Sequence, residues 1–122
     1  MYQNKVGIGK TSPEYKLHIA NETINNSVQD LLCLETHCNA SVNGPAILFR
    51  ERWNNGAYWN VARIAGLEEG GYGGRLAFYT NEGTGSADNN VIERMRIDEL
   101  GNVGIGTTSP ASKLEVTSSE AT

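Results

Sequence analysis

Long apolar runs are missing from this sequence. Nowhere do 18 consecutive residues stay apolar, so no helix of bilayer-spanning length is encoded. The N-terminus has no hydrophobic stretch of the signal-peptide kind. Positive charge is also short: Lys and Arg total 10 against 14 Asp and Glu, a net charge of −4 that leaves no basic stripe for nucleic acid. Cysteine is scarce, and the two present, Cys33 and Cys38, form no disulfide framework. On one strand they would stand on opposite faces roughly 16 Å apart at ~3.3 Å per residue, beyond the ~7 Å Cα reach of a bridge. They read as two half-buried thiols. A metal pair built on them would need two more ligands, and only His37 is adjacent. Apolar residues make up 39% of the chain, below the usual ~45–50%, so one copy is short of core. Of the remedies open to small domains, oligomerisation is the one left.

Glycine and asparagine are plentiful instead, with 14 Gly marking many reversals and places of close backbone approach. The glycines fall in a pattern. Val6-Gly7-Ile8-Gly9-Lys10-Thr11-Ser12-Pro13 returns as Val103-Gly104-Ile105-Gly106-Thr107-Thr108-Ser109-Pro110, 97 residues on. Each copy continues into an alternating run, Lys16-Leu17-His18-Ile19 and Lys113-Leu114-Glu115-Val116. Nine of the 14 aligned positions are identical, so one block opens and closes a unit of the chain. In an extended strand Val6 and Ile8, like Val103 and Ile105, share one face, with glycine on the other.

Between the copies the chain reads as all-β. The segment 20–30 is a polar, Asn-rich loop. Its Asn-x-Ser/Thr matches at Asn21 and Asn25, with a third at Asn39, are what chance supplies at this composition. Strands are expected at Leu31 to His37, Ala46 to Trp53, Ala57 to Leu67, Arg75 to Thr80 and Val91 to Asp98. The reversals are Asn43-Gly44-Pro45, Asn54-Asn55-Gly56, the glycine-rich stretch 69–74 and the polar tip 81–90. The best helical candidate, Val91 to Leu100, fits a period of two as well as 3.6, and Gly101-Asn102 closes a hairpin. The divisions are 1–19, the end of a preceding unit; 20–30, a linker; 31–100, an antiparallel β-domain; 101–116, the repeated motif; and 117–122, a disordered tail. Pattern at both ends reads as a fragment of a longer array.

No catalytic constellation is present. Gly9-Lys10-Thr11 resembles the end of a phosphate-binding loop, but Asn4 stands where that pattern needs glycine, and the second copy replaces Lys10 with Thr107. The pairs Glu68-Glu69 and Asp98-Glu99 are neighbours at strand ends, on opposite faces, and read as solvated turn acids. His18 and His37 lack metal-pair spacing. No cofactor is implied. Seven of the nine aromatics fall within residues 49–79. They form either a small core or a carbohydrate-binding face, for which Trp53, Tyr58, Trp59 and Tyr72 are the platform candidates. Arg50 and Arg52 share a face, as do Arg94 and Arg96, with Glu51 and Glu93 on the opposite sides. Such arginines either face water or meet acids from another strand or chain.

Glu93-Arg94-Met95-Arg96-Ile97-Asp98, followed by Gly101-Asn102-Val103-Gly104-Ile105-Gly106-Thr107, Ser109-Pro110 and Lys113-Leu114-Glu115-Val116, resembles a repeat of phage tail fibres and related trimeric adhesive fibres. In that family the segment often precedes a cleavable intramolecular chaperone domain. The resemblance covers residues 91–116 and 6–19 and implies an elongated, partly intertwined homotrimeric β-fibre segment. Ends like a β-prism or triple β-helix would flank a small antiparallel β-domain. It also implies an extracellular or virion-surface location and a part in host attachment, with a host cell-surface glycan or protein as partner and neither nucleic acid nor membrane insertion. In that setting Val6, Ile8, Val103 and Ile105 would pack around the threefold axis. A carbohydrate-binding module is the alternative, and a glycan depolymerase using Glu51, Glu68 and Asp98 is a third reading.

Overall fold

A computed structural model describes residues 4–20, 31–36, 44–53, 56–68, 73–83 and 91–118. Among them the chain is all-β, with eight strands and no helix. It divides into two compact units, Met1–Leu34 and Glu35–Thr122. The first holds β1 (Val6–Ile8) and β2 (Leu17–Ile19), paired in parallel. The second is one sheet in which every strand lies beside its sequence neighbour: β3 (Ala46–Arg52), β4 (Tyr58–Glu68), β5 (Gly74–Asn81), β6 (Val91–Ile97), β7 (Val103–Ile105) and β8 (Leu114–Val116). The pairing is antiparallel from β3 to β7, and β8 then joins β7 in parallel.

The strands follow the sequence pattern closely. Tyr58–Glu68 and Val91–Ile97 are rich in β-branched and long apolar side chains at every second position, which suits a pleated ladder. Where Val91 to Leu100 left room for one helical turn, the chain makes a hairpin. Gly101 has φ 73°, and the Asp98 amide donates to the Asn102 carbonyl at 3.0 Å. Asp98 organises this reversal with its carboxylate, which accepts from the amides of Leu100 (2.9 Å) and Asn102 (2.7 Å) and from Asn102 Nδ2 (3.1 Å). That ladder carries the repeated motif into the sheet, so residues 101–116 are continuous with the β-domain. The pairing runs one residue past β8, because Thr117 N donates to Ile105 O at 2.9 Å.

Two expectations fail here. Residues 31–36 form no strand; all six are exposed, Cys33 among them, because their apolar alternation meets no ladder partner among the described residues. The grouping of Arg94 with Arg96 on one face is also wrong. Tyr79 pairs with Glu93 while Phe78 pairs with Met95, so β6 carries one extra residue, Arg94, at a β-bulge. The bulge reverses the parity of everything before it and brings Glu93 onto the face of Arg96. A second bulge sits in β4, where Phe49 pairs with Ala62 but Arg50 with Asn60.

The two faces of the larger sheet differ. One carries the small core, Ala65 (2% exposed), Ala77 (0%) and Tyr79, with Leu67 and Val91 packed against it. The other carries an unbroken apolar row through all six strands: Ile47 opposite Ile64, then Phe78, Met95, Ile105 and Val116. Beside it runs Gly66, Leu76, Ile97, Val103 and Leu114.

Candidate functional site

The repeated sequence is a repeated structure. In each copy a three-residue strand pairs in parallel with a strand 11 positions later: Val6 with Leu17 and Ile8 with Ile19, Val103 with Leu114 and Ile105 with Val116. Parallel strands usually need a crossover of a dozen residues or more; here residues 9–16 and 106–113 suffice. The same backbone bonds close both copies. Val6 N donates to Lys16 O (2.8 Å) and Val103 N to Lys113 O (2.9 Å), while Ala20 N donates to Ile8 O (3.0 Å) as Thr117 N does to Ile105 O (2.9 Å).

Glycine is required at the exit of each first strand. Gly9 and Gly106 have φ of 69° and 75°, and a Cβ on either would land on a backbone carbonyl oxygen, that of Ala20 or Thr117. The resemblance to a phosphate loop ends here, since Gly9 leads through a crossover of bends into a strand, not a helix. The glycines serve backbone approach.

Val6, Ile8, Val103 and Ile105 therefore occupy equivalent places in two copies of one device. Val6, Ile8 and Ile105 are exposed and Val103 is half-buried. Val103 and Ile105 lie on the apolar face of the larger sheet, and no second layer covers that face among the described residues. Phe49 on the same face is 48% exposed and Val116 64%. Scattered exposed apolar residues are ordinary, whereas a contiguous apolar row across six strands is the kind of patch found at interaction surfaces.

The opposite face answers the arginine question. Arg96, 5% exposed, grips Glu93 with two bonds, Nε to Oε1 at 2.6 Å and Nη2 to Oε2 at 2.8 Å, and its Nη1 donates to the Thr108 carbonyl at 2.9 Å. It thus ties the crossover of the second motif copy to the sheet. Arg63 stacks over the Tyr79 ring with its guanidinium carbon 4.1 Å from the centroid. Burial pushes the Tyr79 hydroxyl above its ordinary pKa, the Glu93 charge adds to this, and Arg63 opposes it. Arg75 bonds Glu99 at 2.8 Å, and that hydrogen bond holds the Glu99 carboxyl below the usual range. Arg94, turned out by the bulge, bonds Thr80 Oγ1 (3.1 Å) and Glu82 (3.2 Å).

The aromatic candidates separate. Trp53 and Trp59 meet edge to face, centroids 4.9 Å apart, beside the hairpin that Trp53 N closes onto Ala57 O at 2.8 Å. Tyr58 pairs in register with Arg52 and lies under Arg50, whose guanidinium carbon is 5.2 Å from its ring centroid. Tyr58 and Trp59 are successive on β4, so ordinary strand alternation sets them on opposite faces. Tyr72 lies outside the described residues, as do His37, Cys38, Asn54 and Asn55. Of the described candidates, only the two tryptophans are brought together.

A hollow of about 530 Å³ at the end of the sheet is lined by Gly66, Leu76 and Ile97 together with Glu68, Arg75 and Asp98. It joins two of the three depolymerase candidates; Glu51 pairs with Trp59 on another part of the sheet. Partial desolvation pushes the Asp98 carboxyl up, but hydrogen bonds from Asn102 and Leu100 and the Lys113 charge outweigh it, so its pKa falls below the ordinary value. A general acid needs the reverse shift. Among the described residues no group of three His, Cys, Asp or Glu could hold a metal ion, and no helix is long and apolar enough to cross a membrane. Sequence reasoning missed the roles of Asp98 and of the Glu93–Arg96 pair, although Asp three residues before Gly101 was a legible turn signal.

No protein-family model matches the chain, and no curated protein matches it either.

Proposed function

We propose that this chain is a structural and adhesive segment of a homotrimeric surface fibre, carried on a virion or a comparable extracellular assembly and used for host attachment. The observation that carries the reading is the apolar row Ile47–Ile64–Phe78–Met95–Ile105–Val116, continuous through six strands and left without a covering layer among the described residues. A sheet with one apolar face must bury it against another element. The element proposed is the same face of two further copies, giving a prism-like arrangement about a threefold axis. Residues 101–116 and 1–19 would continue the packing as shaft.

The magnitudes permit this. Full burial of a Val, Leu, Ile, Phe or Met side chain is worth about 1.5–3 kcal/mol, and these residues are already partly covered. The ten side chains of the two rows would then supply on the order of 10 kcal/mol per chain, comparable with the ~4–15 kcal/mol cost of association. The balance becomes favourable once each copy meets two neighbours. Multi-angle light scattering on the folded chain should give three times the 13.2 kDa chain mass. A stable monomer across the micromolar range would end the proposal.

The second reading, a carbohydrate-binding role at the fibre surface, rests on the Trp53–Trp59 pair, whose exposed Trp53 ring beside a hairpin suits stacking on a sugar. Glycan-array binding lost in Trp53→Ala, with the trimer intact, would support it. An array with no binder would leave the scaffold role alone.

A further inference from the structure

The chain contains its own control for what belongs beside β1. In the second motif copy β7 lies between β8 and β6. Arg96 of β6 stands opposite Gly104, with Met95 opposite Ile105 and Ile97 opposite Val103. Gly104 leaves room for the crossover, since a Cβ there would meet the Thr107 carbonyl oxygen and Pro110; opposite it, the Arg96 guanidinium reaches the Thr108 carbonyl at 2.9 Å. Gly106 N donates to Arg94 O at 3.0 Å. Under this cover Gly104 and Pro110 are buried.

The first copy has the same parallel register, the same closing bonds and the same left-handed glycine. Among the described residues, however, β1 pairs with β2 alone. The consequences show at each matching position. Gly7 is exposed where Gly104 is buried, Pro13 is half-buried where Pro110 is buried, and Ile8 is 55% exposed against 39% for Ile105.

We infer that the outer edge of β1 is a docking site for an antiparallel strand of the β6 type. Its recognition element is an arginine between two apolar residues. The arginine lies over Gly7, its guanidinium on the Thr11 carbonyl, and the flanking apolar side chains lie opposite Val6 and Ile8. A glutamate three residues before the arginine, brought to the same face by a one-residue bulge, neutralises it as Glu93 does Arg96. Main-chain bonds supply the affinity of such strand addition and the arginine supplies the register. The inference concerns one edge of one chain and does not rest on the proposed trimer.

The test is a graft onto the full chain. Residues 98–102 replace residues 1–5, position for position, and residues 91–97 are placed ahead of them, so that the hairpin forms within the chain. Amide hydrogen exchange then reads Gly9, the counterpart of Gly106. The expected result is exchange at Gly9 slowed about tenfold or more relative to the unmodified chain. Most of that protection should be lost when alanine takes the place of the arginine copied from Arg96. Unchanged exchange at Gly9, with Gly106 still protected, would overturn the inference; equal protection in the alanine graft would overturn the role of the arginine. Should the graft perturb folding, the free peptide Val91–Asn102 added to the unmodified chain must give saturable shifts of the Gly7 and Gly9 amide signals. No shift at millimolar peptide overturns the site.

Discussion

Glu93 and Arg96 are three residues apart on one strand, yet their side chains meet in a two-bond grip at 2.6 and 2.8 Å. Regular alternation would set them on opposite faces. The extra residue Arg94 makes the contact possible, so a backbone irregularity and a buried ion pair are one feature.

That coupling gives the first prediction. With side chains 6% and 14% exposed, breaking the pair leaves an uncompensated buried charge, and Arg96→Ala should cost about 3–5 kcal/mol. Deleting Arg94 removes the bulged residue and leaves Glu93 two positions from Arg96, still on one face of a now regular strand, so the pair should survive and the deletion should cost much less. Urea denaturation of the two variants would compare them. A deletion as costly as Arg96→Ala would mean that the contact needs the bulge geometry itself and not only a shared face.

The glycines of the repeated motif can be ranked. Gly9→Ala and Gly106→Ala place a methyl group on a carbonyl oxygen and hold alanine at positive φ, for an expected loss of about 2 kcal/mol or more each. Gly56→Ala, at φ 87° with nothing within 4 Å of the added carbon, should cost only the backbone strain of about 1 kcal/mol. Thermal melts of the three variants would give the order.

The Asp98 turn makes stability depend on pH in the acid range. Its folded pKa is depressed, so its contribution is fully present above the unfolded value and is lost as pH falls through the folded one. Glu99, held down by Arg75, acts in the same direction and window. The urea midpoint should therefore be level near neutrality and fall below about pH 4, the ordinary carboxylate range. Asp98→Asn should flatten part of that fall. At the alkaline end Tyr79 has the opposite sign. Its pKa is raised, so it contributes stability below the unfolded value, and that stability is lost as pH rises through the folded one.

Ile105→Asp probes the assembly face. Ile105 stands between Met95 and Val116 in the apolar row, so a carboxylate there would meet its own copies three times around an axis. Trimer should be lost while monomer β-content by circular dichroism persists, because the side chain is exposed in the single chain. Undiminished trimer would take Ile105 out of the interface.

Much of this was legible in the sequence. The strands of the larger sheet fall within a residue or two of the periodic runs, and the Gly101 hairpin and the structural role of the repeated glycines follow from composition and position alone. Parity was not legible after a bulge. One inserted residue reverses every inside–outside assignment beyond it on its strand, which is why Arg94 and Arg96 were grouped on one face and Glu93 on the other. The parallel pairing was hidden for another reason: it is a relation between residues 11 apart, and alternation within each strand carries no sign of its neighbour's direction. Residues 31–36 show the converse, since Leu32 and Leu34 alternate as a strand would but have no ladder to join among the described residues.

The parallel closure of each motif copy also has a mechanical meaning. In the β6–β7 hairpin the connected ends of the strands leave from the same side, so tension peels the ladder one bond at a time. In β1–β2 and β7–β8 the chain enters at one end and leaves at the other while keeping its heading. Tension along the chain then loads all the bonds of the short ladder together, in shear. Two such clasps, 97 residues apart, are placed where a chain under pull would bear load.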